Sequence, residues 1–302
     1  MDEQRKARRA PWRDPRALWS LLVDAATAWV ADRAPSKGAA LSYYMAFSLA
    51  PILIVAIAIA GMAFGDNAAR GQIYVQMKAL LGPEGARTVQ AMIVSAASHG
   101  RGTLPTILGI ATLAIGATSA LAELKDGLDQ IWNVPPSQHS GFPHYLAAFI
   151  RTRLLSIGII LALALLLLIS LVFSAVLAAL ANLWGGHNST SILLQLMNFL
   201  ISFVLVTALF ATTYKMMQSE IKLAWRDVIV GAVVTALLFT VGKHLIGVYL
   251  GNSAVESMYG AAGSLLVVLI WVFYSAQIFL YGAEFTKVYT YRFGSLSKSS
   301  TA

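Results

Sequence analysis

The chain has 302 residues, 58% of them hydrophobic and only 12% charged, against roughly 25% charged in a soluble domain. Most of the mass therefore belongs in a bilayer, and no appreciable stretch is left for a soluble catalytic domain. The net charge of +8 favours anionic lipid headgroups over nucleic acid, because basic residues on so apolar a chain gather beside the cytoplasmic leaflet. The absence of cysteine excludes disulfides, zinc thiolate sites and thiol nucleophiles.

Residues 1 to 16 are basic and proline-punctuated, and are expected to be disordered or lipid-associated. From Leu18 to Ala31, the residues Leu18, Leu21, Leu22, Ala25, Ala26 and Trp29 recur at helical spacing. This predicts an interfacial helix lying on the membrane, broken by Pro35 and Gly38. No short apolar core of a cleavable signal precedes it, so the first span itself is expected to direct insertion.

Six apolar stretches follow, at about 40 to 64, 104 to 121, 154 to 181, 192 to 214, 228 to 250 and 262 to 283. Each is long enough, or nearly so, to cross a hydrocarbon core of about 30 Å as a helix rising about 1.5 Å per residue. Backbone groups cannot be satisfied by lipid, and the runs lack the alternation of barrel strands. An all-α, six-helix polytopic bundle follows, with one membrane domain at 38–289 between a basic tail at 1–37 and a second tail at 290–302.

Span 1 contains Pro51, which frees the carbonyl of Phe47 and predicts a bend, whether as a packing device or as a gating hinge. The connection from Gly65 to Gly102 is too long for a structureless loop. It divides at Gly82-Pro83-Glu84-Gly85 into two amphipathic pieces, predicting an outer-side helical hairpin. Span 2 ends in small residues and continues into Glu123, Lys125, Asp126 and Asp129, an amphipathic extension reaching Trp132. Span 3 is preceded by Arg151 and Arg153, and span 5 by Arg226 and Asp227. Span 5 also holds Gly247-x-x-x-Gly251, a weak close-packing motif.

Lys and Arg outside the spans fall mostly before span 1, between spans 2 and 3, between spans 4 and 5, and after span 6. The opposite connections hold only Arg70, Lys78, Arg87 and Arg101. The positive-inside rule then places both termini in the cytoplasm.

Span 6 carries the strongest polar pattern. Tyr274, Gln277, Tyr281 and Glu284 lie at i, i+3, i+7 and i+10, which at about 100° per residue keeps them within about 80° on one face. Pointed at acyl chains, each would cost on the order of 1 kcal/mol or more, and a carboxylate at the helix centre about 2.5 to 3.5. The stripe is therefore expected to face protein or water. For Glu284 two roles stand open: a structural tie to Arg151, Arg153 or Arg226, or a proton or substrate site. Lys243, alone inside span 5, either snorkels outward toward Glu256 or contacts an anionic headgroup.

No enzyme is expected and no cofactor. The histidines are scattered, and there is no nucleophile elbow, Walker loop, dinucleotide glycine pattern or metal-binding cluster. A nuclease is thus disfavoured.

The words ALSYYMAFSLAP (40 to 51), GATSALAELKDGLDQIWNVPP (116 to 136), FIRTRLLS (149 to 156), WRDVIVGAVVTALLFTVGKHLIGVYLG (225 to 251) and YGAAGSLLVVLIWVFYSAQIFLYGAEFTKVY (259 to 289) resemble the YihY/BrkB family of bacterial inner-membrane proteins. The resemblance covers nearly the whole membrane domain. It implies six helices with cytoplasmic termini, and recurring polar and glycine positions at Glu123, Asp126, Arg151, Arg153, Trp225, Arg226, Asp227, Lys243, Tyr259, Gly260, Gln277 and Glu284. The connection near Gln218 departs from it in lacking a proline. Members have carried a ribonuclease BN label, which this sequence does not support, and are described as virulence factors and candidate transporters of lipid-related cargo. The expected function is a transporter or lipid-translocating protein without ATP hydrolysis of its own, with polar groups of spans 5 and 6 and the cytoplasmic ends of spans 2 and 3 lining a path for an amphiphile such as an anionic lipid. The alternative is an envelope scaffold, as a homo-oligomer or with a protein partner.

Overall fold

The computed structural model describes residues 14–45, 119–120, 122–134, 188–218, 221, 223–252 and 261–297, with single positions at 71, 74, 86, 87, 90 and 94. Every regular element among the described residues is helical, and no strand occurs among them. Pro51, Arg151, Arg153, Glu256 and Gly260 lie outside the described residues, as do span 3 and most of spans 1 and 2. The expected outer-side hairpin is described only at single helical positions.

Helix α1 is Pro15–Ala31. It begins a turn earlier than the apolar pattern because Asp14 caps it: the Asp14 carboxylate accepts from the Arg16 amide at 3.0 Å, and Pro15, which has no amide hydrogen, occupies the first turn. The break after α1 falls at Asp32–Arg33, not at Pro35 and Gly38. Arg33 takes φ 52°, and its carbonyl accepts from Ser36 and Lys37 to open α2, described over 34–45. Pro35 sits in the first turn of α2, where its missing amide costs nothing. Gly38 lies inside that helix, where it admits a neighbouring side chain.

Helix α3 (122–131) is the expected extension beyond span 2. Leu128, Ile131 and Trp132 are buried while Asp126 and Gln130 are exposed. The three last spans appear as α4 (Asn188–Met217), α5 (Trp225–Asn252) and α6 (Ala261–Arg292). Within them Phe199–Met217, Trp225–Tyr249 and Leu266–Arg292 are long and apolar enough to cross a membrane. Each helix outruns its apolar stretch, and α6 continues past Glu284 to Arg292. At 32 residues α6 is about 48 Å long, so tilt or protrusion from a core of about 30 Å is required.

The chain divides into two compact units. The first comprises Met1–Asp32, Leu128–Leu238 and Tyr281–Ala302. Here Leu21 and Ala25 of α1 are fully buried against Phe285, and Val230, Val234, Tyr281, Val288, Tyr289 and Phe293 complete the cluster. Within the same unit α5 and α6 meet through a reciprocal motif. A Cβ on Gly231 would overlap Thr286, and one on Gly282 would overlap Thr235 and the hydroxyl of Tyr214. Each threonine donates to the carbonyl of the glycine four residues earlier on its own helix, Thr235 to Gly231 at 2.8 Å and Thr286 to Gly282 at 2.6 Å. Tyr214 of α4 bonds Thr235 at 3.0 Å, so three helices share this contact. The α4–α5 connection is held by Lys215, whose ammonium donates to the Leu223 carbonyl and lies 5.8 Å from the Trp225 ring centroid.

The second unit comprises Arg33–Gly127 and Phe239–Leu280. Leu41 of α2, Ala120 and Ala276 of α6 form its buried cluster, flanked by Tyr44 and Leu124. Phe239 and Trp271 meet edge to face at 6.0 Å. Along its part of α5, the side chains Val241, Leu245 and Val248 are exposed at helical spacing, an apolar stripe fit for acyl chains.

Among the described residues, and apart from its own helix backbone, no atom lies within 4 Å of where a Cβ on Gly247 would stand, in contrast to Gly231. Gly231→Ala is accordingly expected to destabilise the protein by about 1–3 kcal/mol through overpacking. Gly247→Ala is expected to leave stability unchanged or raise it by up to about 1 kcal/mol. Thermal unfolding in detergent measures both. Thr286→Gly, which removes the Cβ that a methyl on residue 231 would overlap, should restore part of the loss in the Gly231→Ala background, as contact between the two positions implies.

Candidate functional site

The polar face of α6 turns toward protein along its described length. In the second unit, the hydroxyl of half-buried Tyr274 lies against α5 at Gly242, where a Cβ would overlap it. One turn on, Gln277 donates from Nε2 to the Pro35 carbonyl at 3.4 Å, over the space left open by Gly38. Its Oε1 is buried with no hydrogen-bond partner among the described residues.

In the first unit, Tyr281 donates its hydroxyl to the Leu22 carbonyl of α1 at 3.0 Å. Glu284 is completely buried, and neither carboxylate oxygen makes a hydrogen bond of normal geometry among the described residues. The charged groups acting on it are Asp32 and Lys287, themselves 3.9 Å apart. Arg226, expected as a tie for Glu284, is exposed at the start of α5 and does not fill that role. In its place Asp32, at the end of α1, and Lys287, on α6 itself, bear on the carboxylate.

Two further ties fasten α1 to the end of α6. Arg292 donates to Ser20 at 2.9 Å and pairs with Asp24 at 3.1 Å. Asp227 is buried in the first turn of α5, a favourable place for a carboxylate. It accepts from both the amide and the hydroxyl of Ser295 at 2.7 Å. Glu123 is half-buried and Asp126 exposed on α3, and Lys243 is half-buried on α5. Gly251 lies in the last turn of α5. Among the described residues, no group of three His, Asp or Glu stands where it could hold a metal ion.

Sequence reasoning missed Asp32, Asp24, Arg292 and Ser295 as partners of the polar helices. It also missed the Gly231/Thr235 and Gly282/Thr286 pairs, whose signal was present as the same Gly-x-x-x-Thr spacing in two successive spans.

A family model for Virulence factor BrkB matches residues 25–301. A UPF0761 membrane protein of Stenotrophomonas maltophilia is 25% identical over 271 residues, covering 89% of this chain and 59% of the relative. One of Pseudomonas aeruginosa is 26% identical over 260 residues, covering 84% and 59%. Another, of Alkalilimnicola ehrlichii, is 27% identical over 262 residues, covering 85% and 55%. The chain thus spans under three fifths to about three fifths of the length of these curated relatives. No solved structure matches.

Tyr281→Phe removes a part-buried hydrogen bond between α6 and α1, a loss of about 1 kcal/mol, or roughly a fivefold shift in the docking equilibrium of α1. Trypsin cleavage after Arg33 is expected to speed up by that factor. Arg292→Ala, at an exposed pair, should change the rate much less.

Proposed function

The chain belongs to the virulence factor BrkB family of membrane proteins, and from that premise we propose that it moves an amphiphilic, anionic lipid-like substrate across the inner membrane without hydrolysing ATP. In this reading both termini are cytoplasmic, as the distribution of Lys and Arg favours. The basic segment before α1 holds anionic headgroups against the membrane surface.

The observation that carries the proposal is the state of the α6 polar stripe. Buried polar atoms in a helix bundle built for support alone are normally satisfied. Here Gln277 Oε1 and both Glu284 oxygens make no hydrogen bond of normal geometry among the described residues. Unfilled acceptors along one helical face are suited to the donors of a headgroup, a hydroxyl or ammonium carried beside its phosphate. Lys243, half-buried on α5, supplies a cation for an anionic headgroup. Exposed Val241, Leu245 and Val248 supply a surface for its acyl chains.

A scaffolding role is the second reading, and a specific observation favours it. Tyr281 and Gln277 are tied to the backbone of α1 and α2, which is how a stripe that only holds helices together would look. Scaffolding would act through a homo-oligomer or another envelope protein.

Purified full-length protein in liposomes carrying labelled phospholipids separates the two. Translocation predicts faster transbilayer movement, strongest for anionic headgroups. Lys243→Ala should reduce the rate for anionic lipids by about tenfold, the equivalent of one lost charge-assisted contact, with thermal stability retained. No acceleration with any headgroup would leave scaffolding as the function.

A further inference from the structure

Glu284 has no exposed surface, and neither of its oxygens makes a hydrogen bond of normal geometry among the described residues. Three residues before it, Tyr281 reaches the Leu22 carbonyl of α1; three residues after it, Lys287 stands 3.9 Å from Asp32 at the end of α1. Positions three apart share a helical face, so Glu284 is aimed at the last turn of α1.

Among the described residues, the other charged groups of the surrounding elements are occupied elsewhere or turned away. Asp24 of α1 pairs with Arg292, Asp227 of α5 accepts from Ser295, and Lys215 of α4 donates to the Leu223 carbonyl. Arg226 and Arg33 are exposed. Asp32 and Lys287 are left to act on Glu284.

Two carboxylates and one ammonium carry one negative charge in excess, and it bears on Glu284, which has no exposed surface, while the side chains of Lys287 and Asp32 stay 18% and 23% exposed. One proton removes the excess. With a proton on Glu284, its hydroxyl can donate to Asp32 while the Asp32 carboxylate keeps Lys287, and every group gains a partner. We propose that Glu284, closed over by Asp32 and Lys287, is a proton-binding site whose occupancy controls the docking of α1 on α6. The proton comes from water onto a Glu284 oxygen and returns to water on release. Release leaves two like charges facing each other across the α1–α6 contact. Asp32 immediately precedes the left-handed Arg33 joint, so α1 is the element that moves away. The inference rests on the packing of α1 against α6 and stands whether or not the protein moves lipid.

The chain has no cysteine, so spin labels attach only where they are placed. Thr27→Cys on the exposed side of α1 and Ser297→Cys just after α6 provide a pair, both at exposed positions. In the full chain in nanodiscs, pulsed electron resonance should show one narrow distance at low pH and a longer population growing as pH rises. Glu284→Gln, which cannot lose a proton, should hold the narrow distance at every pH, and so should Asp32→Asn. Infrared difference spectra across the same titration should contain a protonated-carboxyl band that disappears in Glu284→Gln. A distance independent of pH in the labelled parent would overturn the proposal. So would a pH response, or a carboxyl band, that survives Glu284→Gln.

Discussion

Within a bilayer, lipid tails are as apolar as leucine, so burying leucine against leucine gives helices little reason to associate. Close backbone approach has to supply the attraction instead, and in the first unit it comes from two glycine–threonine pairs set head to tail. Gly231 makes room for Thr286 and Gly282 for Thr235. Each hydroxyl is already satisfied by its own helix four residues back, so bringing the threonines into the interface strands no donor. Tyr214 then joins α4 to the same point through Thr235. The position of the polar end of α6, and with it the burial of Glu284, depends on this contact.

Helix α1 follows from the same constraint. It covers the end of α6 with Leu21 and Ala25, offers a backbone carbonyl to Tyr281 and carboxylates to Lys287 and Arg292. Its opposite side keeps Trp19, Val23 and Val30 exposed. One helix thereby has two faces, one packed in a protein groove and the other carrying large exposed apolar side chains.

The apolar runs of the last three spans were legible because their composition leaves no other solvent for them. Their ends were less so: α6 continues through Lys287 and Arg292 because α1 supplies partners for them, and a hydropathy reading has no access to a partner that arrives from far along the chain. The same distance in sequence hid Asp32, which stands outside the apolar pattern of α1 and whose partner Lys287 is not nearby in the chain. Pro35 was misplaced as a breaker because a proline suits the start of a helix as well as it ends one. That the α6 stripe faces protein was legible, since the cost of presenting Gln277 or Glu284 to hydrocarbon decides the matter. Which atoms meet the stripe was not. The glycine repeat within α5 points instead to Gly247, beside which no neighbouring atom stands among the described residues, because complementarity between two helices leaves no repeat within either.

Helix α5 carries an exposed aromatic ring near each end of its apolar stretch, Trp225 at 53% and Tyr249 at 58% exposure. They bracket 25 residues, about 36 Å along the axis. Aromatic rings of this kind settle among the headgroups, so α5 works as a ruler. With the Lys215 ammonium resting over the indole, one end of that ruler is pinned to the turn after α4. In a thinner membrane the helix must lean farther, and a lipid environment of matching thickness is the one in which it stands most upright.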